Sequence, residues 1–185
     1  DLDYQYQADL ATPVHPEGMW LSSNASLLAT GLRHEAPIHI FQLSSLEQIA
    51  SLNHNGTSMM GMDPNSGTLV AGSWRGYRAW HIGSWQQRYD IARRGSWQPC
   101  GLAVDREGRW ALAADAGASL IRFRINTGSV SARFRSFHPD ATVWNLCLNR
   151  DSSLLAVACL QHGLQVWNLR QIDEELDRLS LSWIE

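Results

Sequence analysis

Seven histidines, eighteen acidic residues and three cysteines are the groups in this 185-residue chain that could do chemistry. Acid–base catalysis, nucleophilic attack and metal ligation each need several such groups at set spacings. None of those spacings occurs: there is no GxSxG, HExxH, CxxC or GxGxxG run and no phosphate loop. All fifteen basic residues are Arg, which excludes Schiff-base chemistry, a P-loop and a kinase's ATP-pairing lysine. Codon bias in a GC-rich genome accounts for the all-Arg usage. Cys100, Cys147 and Cys159 share no ligand spacing, and each lies in an apolar run, as small buried core residues do. A reducing, cytoplasmic setting fits them. The sequons Asn24-Ala25-Ser26 and Asn55-Gly56-Thr57 are triplets that arise commonly by chance. Three histidines do form a pattern. His15 and His54 stand 39 residues apart, and His54 and His138 stand 84 apart, about one and two steps of a period near 42. Arg94-Gly95-Ser96 occupies the step between. A residue recurring at a fixed period is a structural repeat residue, not a catalyst, and no cofactor or metal site is expected.

The elements around those histidines repeat as well. Four segments align without gaps at their starts, beginning at residues 27, 68, 110 and 154 and so 41, 42 and 44 residues apart. Each has a small-residue apolar strand, a short polar loop, and a strand carrying an aromatic: Phe41, Trp80, Phe123 or Trp167. Before each come another apolar strand and a turn rich in Asn, Asp, Ser or Gly, such as Asn24-Ala25-Ser26, Asp105-Arg106-Glu107-Gly108 or Asn149-Arg150-Asp151. A further alternating run follows the first three aromatics, over 46–52, 87–92 and 129–134. Each unit thus predicts four antiparallel strands in a meander. A lone sheet cannot bury both its faces. Four-stranded sheets recurring every 40 to 45 residues or so fit an all-β propeller, in which neighbouring blades cover one another.

Over about residues 12–169 the chain resembles the WD-repeat family. In that family a His before the first strand, a Ser or Thr in the second and a Trp in the third are tied together by a loop Asp. His54, Ser73 and Trp80 match in the second unit, and His138 and Trp167 in the fourth. Asp115 is the plausible loop Asp of the third unit, which lacks the His and the Trp. No Trp-Asp dipeptide is present; Trp80-His81 and Trp167-Asn168 stand in its place. The resemblance implies blades at about 12–53, 54–93, 94–137 and 138–170, held mainly by packing, with 1–11 a strand of a preceding or closing blade. The segment 171–185 is expected to be an amphipathic helix, since Ile172, Leu176, Leu179 and Trp183 fall on one helical stripe with Asp173, Glu174 and Glu175 in its first turn. This tail resembles the end of bacterial WD-repeat proteins, some of which carry Ser/Thr kinase domains.

The resemblance also places two sets of loops on one face. They carry His15, Arg33, His34, Trp74, Arg75, Arg94, Trp97, Asp115 and His162, and exposed aromatic and Arg residues are the types enriched in binding hot spots. A second candidate lies in the third unit. Alternation sets Arg122 and Arg124 opposite Ile121 and Phe123, and Arg133 and Arg135 opposite Ala132 and Phe134. Four arginines on one face of a hairpin would repel one another unless an acidic partner, or the chain's own 173–177 segment, offsets them. A solvated edge that blunts strand addition is the simpler reading.

A net charge of −3 argues against nucleic acid as partner, and no run approaches the roughly 18–20 apolar residues of a membrane helix. No signal-peptide pattern opens the chain. It begins at Asp1 without Met, and four repeats fall short of the usual seven-bladed ring. A fragment is therefore expected, with end faces bearing Trp20, Leu27, Leu28 and Ile40, or Val143, Leu146, Leu155 and Val166, open to self-association or missing blades. The expected function is a non-enzymatic scaffold for a protein or peptide. The alternative is a sensor or regulatory region of a larger bacterial signalling protein, for example behind a kinase domain.

Overall fold

The structure, a computed structural model, describes residues 18–22, 24–32, 37–54, 56, 59–63, 67–94, 101–135 and 138–181. His15, Arg33, His34, Trp97, Cys100, Trp183 and the 1–11 segment lie outside them. The described chain is all-β except for one short helix. Strands β1 (Gly18–Leu21), β2 (Leu27–Gly31), β3 (Ile38–Gln42) and β4 (Glu47–Leu52) form the first antiparallel sheet in chain order. The second is β5 (Met59–Asp63), β6 (Thr68–Ser73), β7 (Gly76–His81) and β8 (Gln87–Ala92). The third is β9 (Leu102–Val104), β10 (Trp110–Ala114), β11 (Ser119–Arg124) and β12 (Val130–Arg135). The fourth has three strands, β13 (Val143–Leu148), β14 (Leu154–Cys159) and β15 (Gly163–Asn168), and leads into α1 (Leu169–Arg178).

The same local chemistry recurs from sheet to sheet among the described residues. Between first and second strands, one residue bonds the residue five positions on through both backbone and side chain. Ser22 N–H donates to Leu27 O while Ser22 Oγ accepts from Leu27 N–H, both at 3.0 Å. Asp105 repeats this with Trp110, and Asn149 with Leu154, each side-chain oxygen accepting at 2.9 Å. Ser, Asp and Asn recur here because each carries an acceptor short enough to close such a turn. Between third and fourth strands a second turn recurs: Leu46, Trp85 and Gly128 donate to the carbonyls of Gln42, His81 and Arg124. All three donors have positive φ. Beside each of these turns one more bond closes the ladder, from Leu43 to Ser26, Ile82 to Gly67 and Ile125 to Arg109. Leu169 to Ser153 is the fourth of the set. The repeat therefore persists to Leu169. There Asn168, in register with Gln42, His81 and Arg124, caps a helix in place of a turn, its Oδ1 accepting from Gln171 N–H at 3.1 Å.

Alternation gives the middle sheets two apolar faces. Leu69, Ala71 and Trp80 pack on Leu27, Ala29, Ile38 and Ile40 of the first sheet. On the other side Val70, Tyr77 and Ala79 meet Ala111, Ala113, Ile121 and Phe123 of the third. Leu112, Ala114 and Leu120 then meet Leu155, Val157 and Trp167 of the fourth. The first strands of successive sheets are neighbours, β1 with β5, β5 with β9 and β9 with β13. Gly61 marks how close they come: a Cβ there would lie 2.3 Å from Val104 Cγ2. Each aligned aromatic of the first three sheets follows a register shift, at Ile40/Phe41, Ala79/Trp80 and Arg122/Phe123.

Several expectations need correction. The helix starts at Leu169, not 171, so its first turn holds no acidic residue. Cys147 is exposed, because it pairs with Ala156 on the outer face of the fourth sheet; Cys159 is buried. Of the residues expected on bare end faces, Leu27, Leu28, Ile40, Val143, Leu146 and Leu155 are buried and Trp20 is half-buried. Val166 is 62% exposed and shares the outer face with Leu164, at 68%. The four arginines do not share a face either. The register shift sets Arg133 opposite Ile121 and Arg135 opposite Ser119, whereas Arg122 pairs with Ala132, so Arg122 and Arg133 face opposite sides.

Candidate functional site

In a four-stranded meander the second-to-third turns and the sheet-to-sheet connections lie at the same end. The described residues bring most of the expected loop residues together there. Trp74 and Arg75 form the β6–β7 turn. Ser73 Oγ accepts from Arg75 N–H at 3.2 Å and donates to Gly76 O at 3.2 Å, which fixes the turn. The Arg75 guanidinium stacks 4.5 Å over the Trp74 ring; Trp74 is half-buried and Arg75 exposed. Arg93 N–H donates to Arg75 O at 3.1 Å, tying the turn to the strand-exit segment behind it.

That segment reaches the third sheet through Asp115. Arg94 N–H donates to Asp115 Oδ1 at 3.0 Å, Arg93 Nε donates to the Asp115 carbonyl at 3.0 Å, and Arg133 pairs with Oδ2. Asp115 is 3% exposed and committed to bonds inside the chain. Its side chain joins two sheets and is not offered to a partner. Gly117 O accepts from Val143 N–H at 3.3 Å, and Leu160 N–H donates to Thr142 O at 3.0 Å, carrying the rim to the fourth sheet. There His162 Nε2 lies 3.0 Å from Asp140 Oδ1, and its ring stacks on His138 at 4.1 Å between centroids.

The residues implied as structural by the resemblance separate. His54 is buried and meets Trp80 edge to face, 5.4 Å between centroids. Burial first, and the Arg78 charge second, hold its pKa down to about 4 against the usual 6.5, so it is neutral at pH 7. Among the described residues its enclosed Nε2 has no hydrogen-bond partner. Ser73 spends its hydroxyl on the turn. His138 lies exposed on the rim, while Trp167 is in the core, edge-on to Phe134 at 6.0 Å and donating to Gln165 Oε1 at 3.2 Å.

The arginines of the third sheet divide by face. Arg122 is half-buried, stacks 4.5 Å over Trp110 and lies 3.8 Å from Asp173 of the helix. Burial lowers its pKa and Asp173 opposes that shift. Arg133 serves Asp115, and Arg124 and Arg135 are exposed.

Two features went unread in the sequence. One is a cleft of about 200 Å³ beside the β6–β7 turn, lined by His54, Ser73, Arg75, Arg78 and Asp90 among others. Arg78 and Asp90 are opposite one another in register and bond at 2.6 Å; this pairing was available from strand alternation once the hairpin was aligned. The other is a groove of about 570 Å³ between β12, β15 and α1, lined by Phe134, Val166, Trp167, Ile172, Leu176 and Leu179 among others. It depends on where the helix docks, which no local spacing encodes. Among the described residues no three His, Cys, Asp or Glu side chains are placed to hold a metal, and no helix is long and apolar enough to cross a membrane. No family model matches the chain, and no curated protein matches it.

Proposed function

We propose that this chain is a four-blade stretch of a WD-type β-propeller whose loop end is a rigid, non-catalytic binding surface for a protein or peptide. Support for the architecture comes from four consecutive meander sheets stacked face on face, with their first strands adjacent and the same turns at the same register. One observation carries the function: the Trp74–Arg75 pair, stacked on itself and fastened through Ser73 and Arg93 at the open end of the stack. An aromatic and a guanidinium already ordered lose little freedom on binding, which favours a hot spot. Arg93 and Arg94 sit beside this pair, and Asp140 and His162 extend the surface across the fourth sheet.

The test is capture of partners from a lysate on the immobilised chain and on its Trp74→Ala/Arg75→Ala variant. The variant should lose specific partners while its melting curve moves little, since Arg75 is exposed and Trp74 only half-buried. A variant that keeps every partner, or that loses several kcal/mol of stability, places the binding surface elsewhere.

A further inference from the structure

We propose that the groove at the free edge of β15 takes residues 4–10 of a second copy of this chain, added as the fourth strand of the fourth sheet. The inference goes beyond the loop-end reading and does not rest on it. The first three sheets show what stands at this edge. Leu52, Ile91 and Phe134 pair with Ile38, Tyr77 and Leu120, while Ala50, Tyr89 and Ala132 pair with Ile40, Ala79 and Arg122. At one register, then, the fourth strands carry Ala-Ser-Leu, Tyr-Asp-Ile and Ala-Arg-Phe, two apolar residues about a polar one. In the fourth sheet the corresponding third-strand residues are Leu164 and Val166, and both are exposed. Among the described residues no strand pairs with β15 on that side. The groove of about 570 Å³ lies there, walled by Phe134, Val166, Ile172 and Leu176. An open edge beside an apolar groove is where an added strand gains both backbone bonds and burial.

The sequence supplies the occupant. The triplet recurs at Ala8-Asp9-Leu10. Leu10 stands 8 residues before β1, as Leu52, Ile91 and Phe134 stand 7, 11 and 9 before β5, β9 and β13. In the shared register Leu10 falls opposite Leu164 and Ala8 opposite Val166, which continues the apolar row across the new strand. Charge agrees as well. Residues 1–10 hold three Asp and no basic residue. Arg135 lines the groove, is exposed, and pairs with no described carboxylate, whereas Glu175 of the groove wall is held by Arg178 at 2.6 Å. The chain's own copy of the segment falls short. Strand contacts run β1–β5, β5–β9 and β9–β13, so the first and fourth sheets are the two ends of the stack. Sheets packed about 10 Å apart put β13 about 30 Å from β1, and the β15 edge farther still. The 8 residues from Leu10 to β1 span at most about 29 Å when fully extended. A second copy has no such limit, and the contact it makes is head to tail.

Complementation tests the proposal. Leu10→Asp spoils the strand and keeps the groove, whereas Val166→Glu, at a 62% exposed position, spoils the groove and keeps the strand. In sedimentation velocity the unsubstituted chain should grow with concentration past the dimer, because every copy offers both a strand and a groove. Each variant alone should stay a monomer, and the two mixed should form a one-to-one dimer. A mixture that stays monomeric overturns the proposal, as does either variant that associates like the unsubstituted chain. A synthetic peptide of residues 3–11 tests the same site without any substitution. Added to the unsubstituted chain at a dilution where that chain is monomeric, it should slow amide exchange across Gly163–Asn168 at least about tenfold. At higher concentration it should break the assemblies down. Exchange unchanged by the peptide overturns the proposal. So does a chain that is monomeric at every concentration with β15 already protected, since it would be filling its own groove.

Discussion

The second and fourth sheets start from the same antiparallel strand plan and end differently. The second has four strands and two covered faces, and it is bolted to the third by tyrosines. Tyr77 Oη donates to Ala114 O at 2.6 Å and Gly101 O at 3.1 Å, and Tyr89 Oη donates to Ile125 O at 2.6 Å. The fourth has three strands, and its outer face bears Leu164 and Val166 in solvent. Where the second turns back to make its outer strand, the fourth enters a helix. Sequence similarity within a repeat therefore fixes how a sheet is made, while its neighbours decide how stable it is.

The largest expected effect is an asymmetry between equivalent truncations. Tyr77→Ala should cost about 3–5 kcal/mol in urea unfolding, since it empties a buried ring site and removes the hydroxyl that bonds Ala114 O, while Gly101 O keeps its bond from Ala114 N–H. Leu164→Ala should stay within about 0.5 kcal/mol because its side chain is already in water. Similar losses at both positions would erase the contrast between the sheets.

A pH effect should come next, and it belongs to the second sheet. His54 has a folded pKa of about 4 against 6.5, so the unfolded chain binds its proton first as pH falls. Its contribution is fully present above pH 6.5 and is lost between there and about pH 4, on the order of 3 kcal/mol. His54→Phe keeps a ring against Trp80 and should flatten the urea midpoint across that window. Parallel curves for the two proteins would show that His54 does not set the acid limit.

Smaller effects are expected at the fourth sheet. Asn168→Ala removes the helix cap and should cost about 1 kcal/mol. Amide exchange should quicken across Leu169–Arg178 while the second sheet keeps its protection; a uniform change would mean that the helix is not a separable unit. The smallest effect on stability is expected from Leu164→Thr/Val166→Thr, within about 0.5 kcal/mol. Light scattering should nonetheless show less self-association, because the apolar outer face is broken up. Unchanged scattering would remove that face from any account of how copies meet.

Much of this organisation was legible in the sequence because turns are local. Asn24, Asp105 and Asn149 declare their loops by residue type, and Phe41, Trp80 and Phe123 mark third strands by spacing. What failed depended on single-residue register. Simple alternation gathered Arg122, Arg124, Arg133 and Arg135 on one face, and a shift after Arg122 turned half of them over. A one-residue slip flips every later side chain, and no composition signal announces it. The candidate surface was legible in part. Trp74, Arg75 and Asp115 do converge on one end, but only packing revealed that Asp115 is buried and joins two sheets. His54 was identified as a repeat residue by its period, and the lack of a partner for its Nε2 among the described residues belongs to three dimensions alone.

The ladder-closing bond made by Leu43, Ile82, Ile125 and Leu169 has a genealogical consequence. It marks the point in each repeat where three strands are fully paired and whatever follows must supply the fourth. A recombination event at the connections after β4, β8 or β12 would deliver a whole sheet with its pairing intact. Only the residues at the ladder-closing bond need rewriting for a repeat to end at three strands, and in the fourth sheet Asn168 and the helix that begins at Leu169 write that stop.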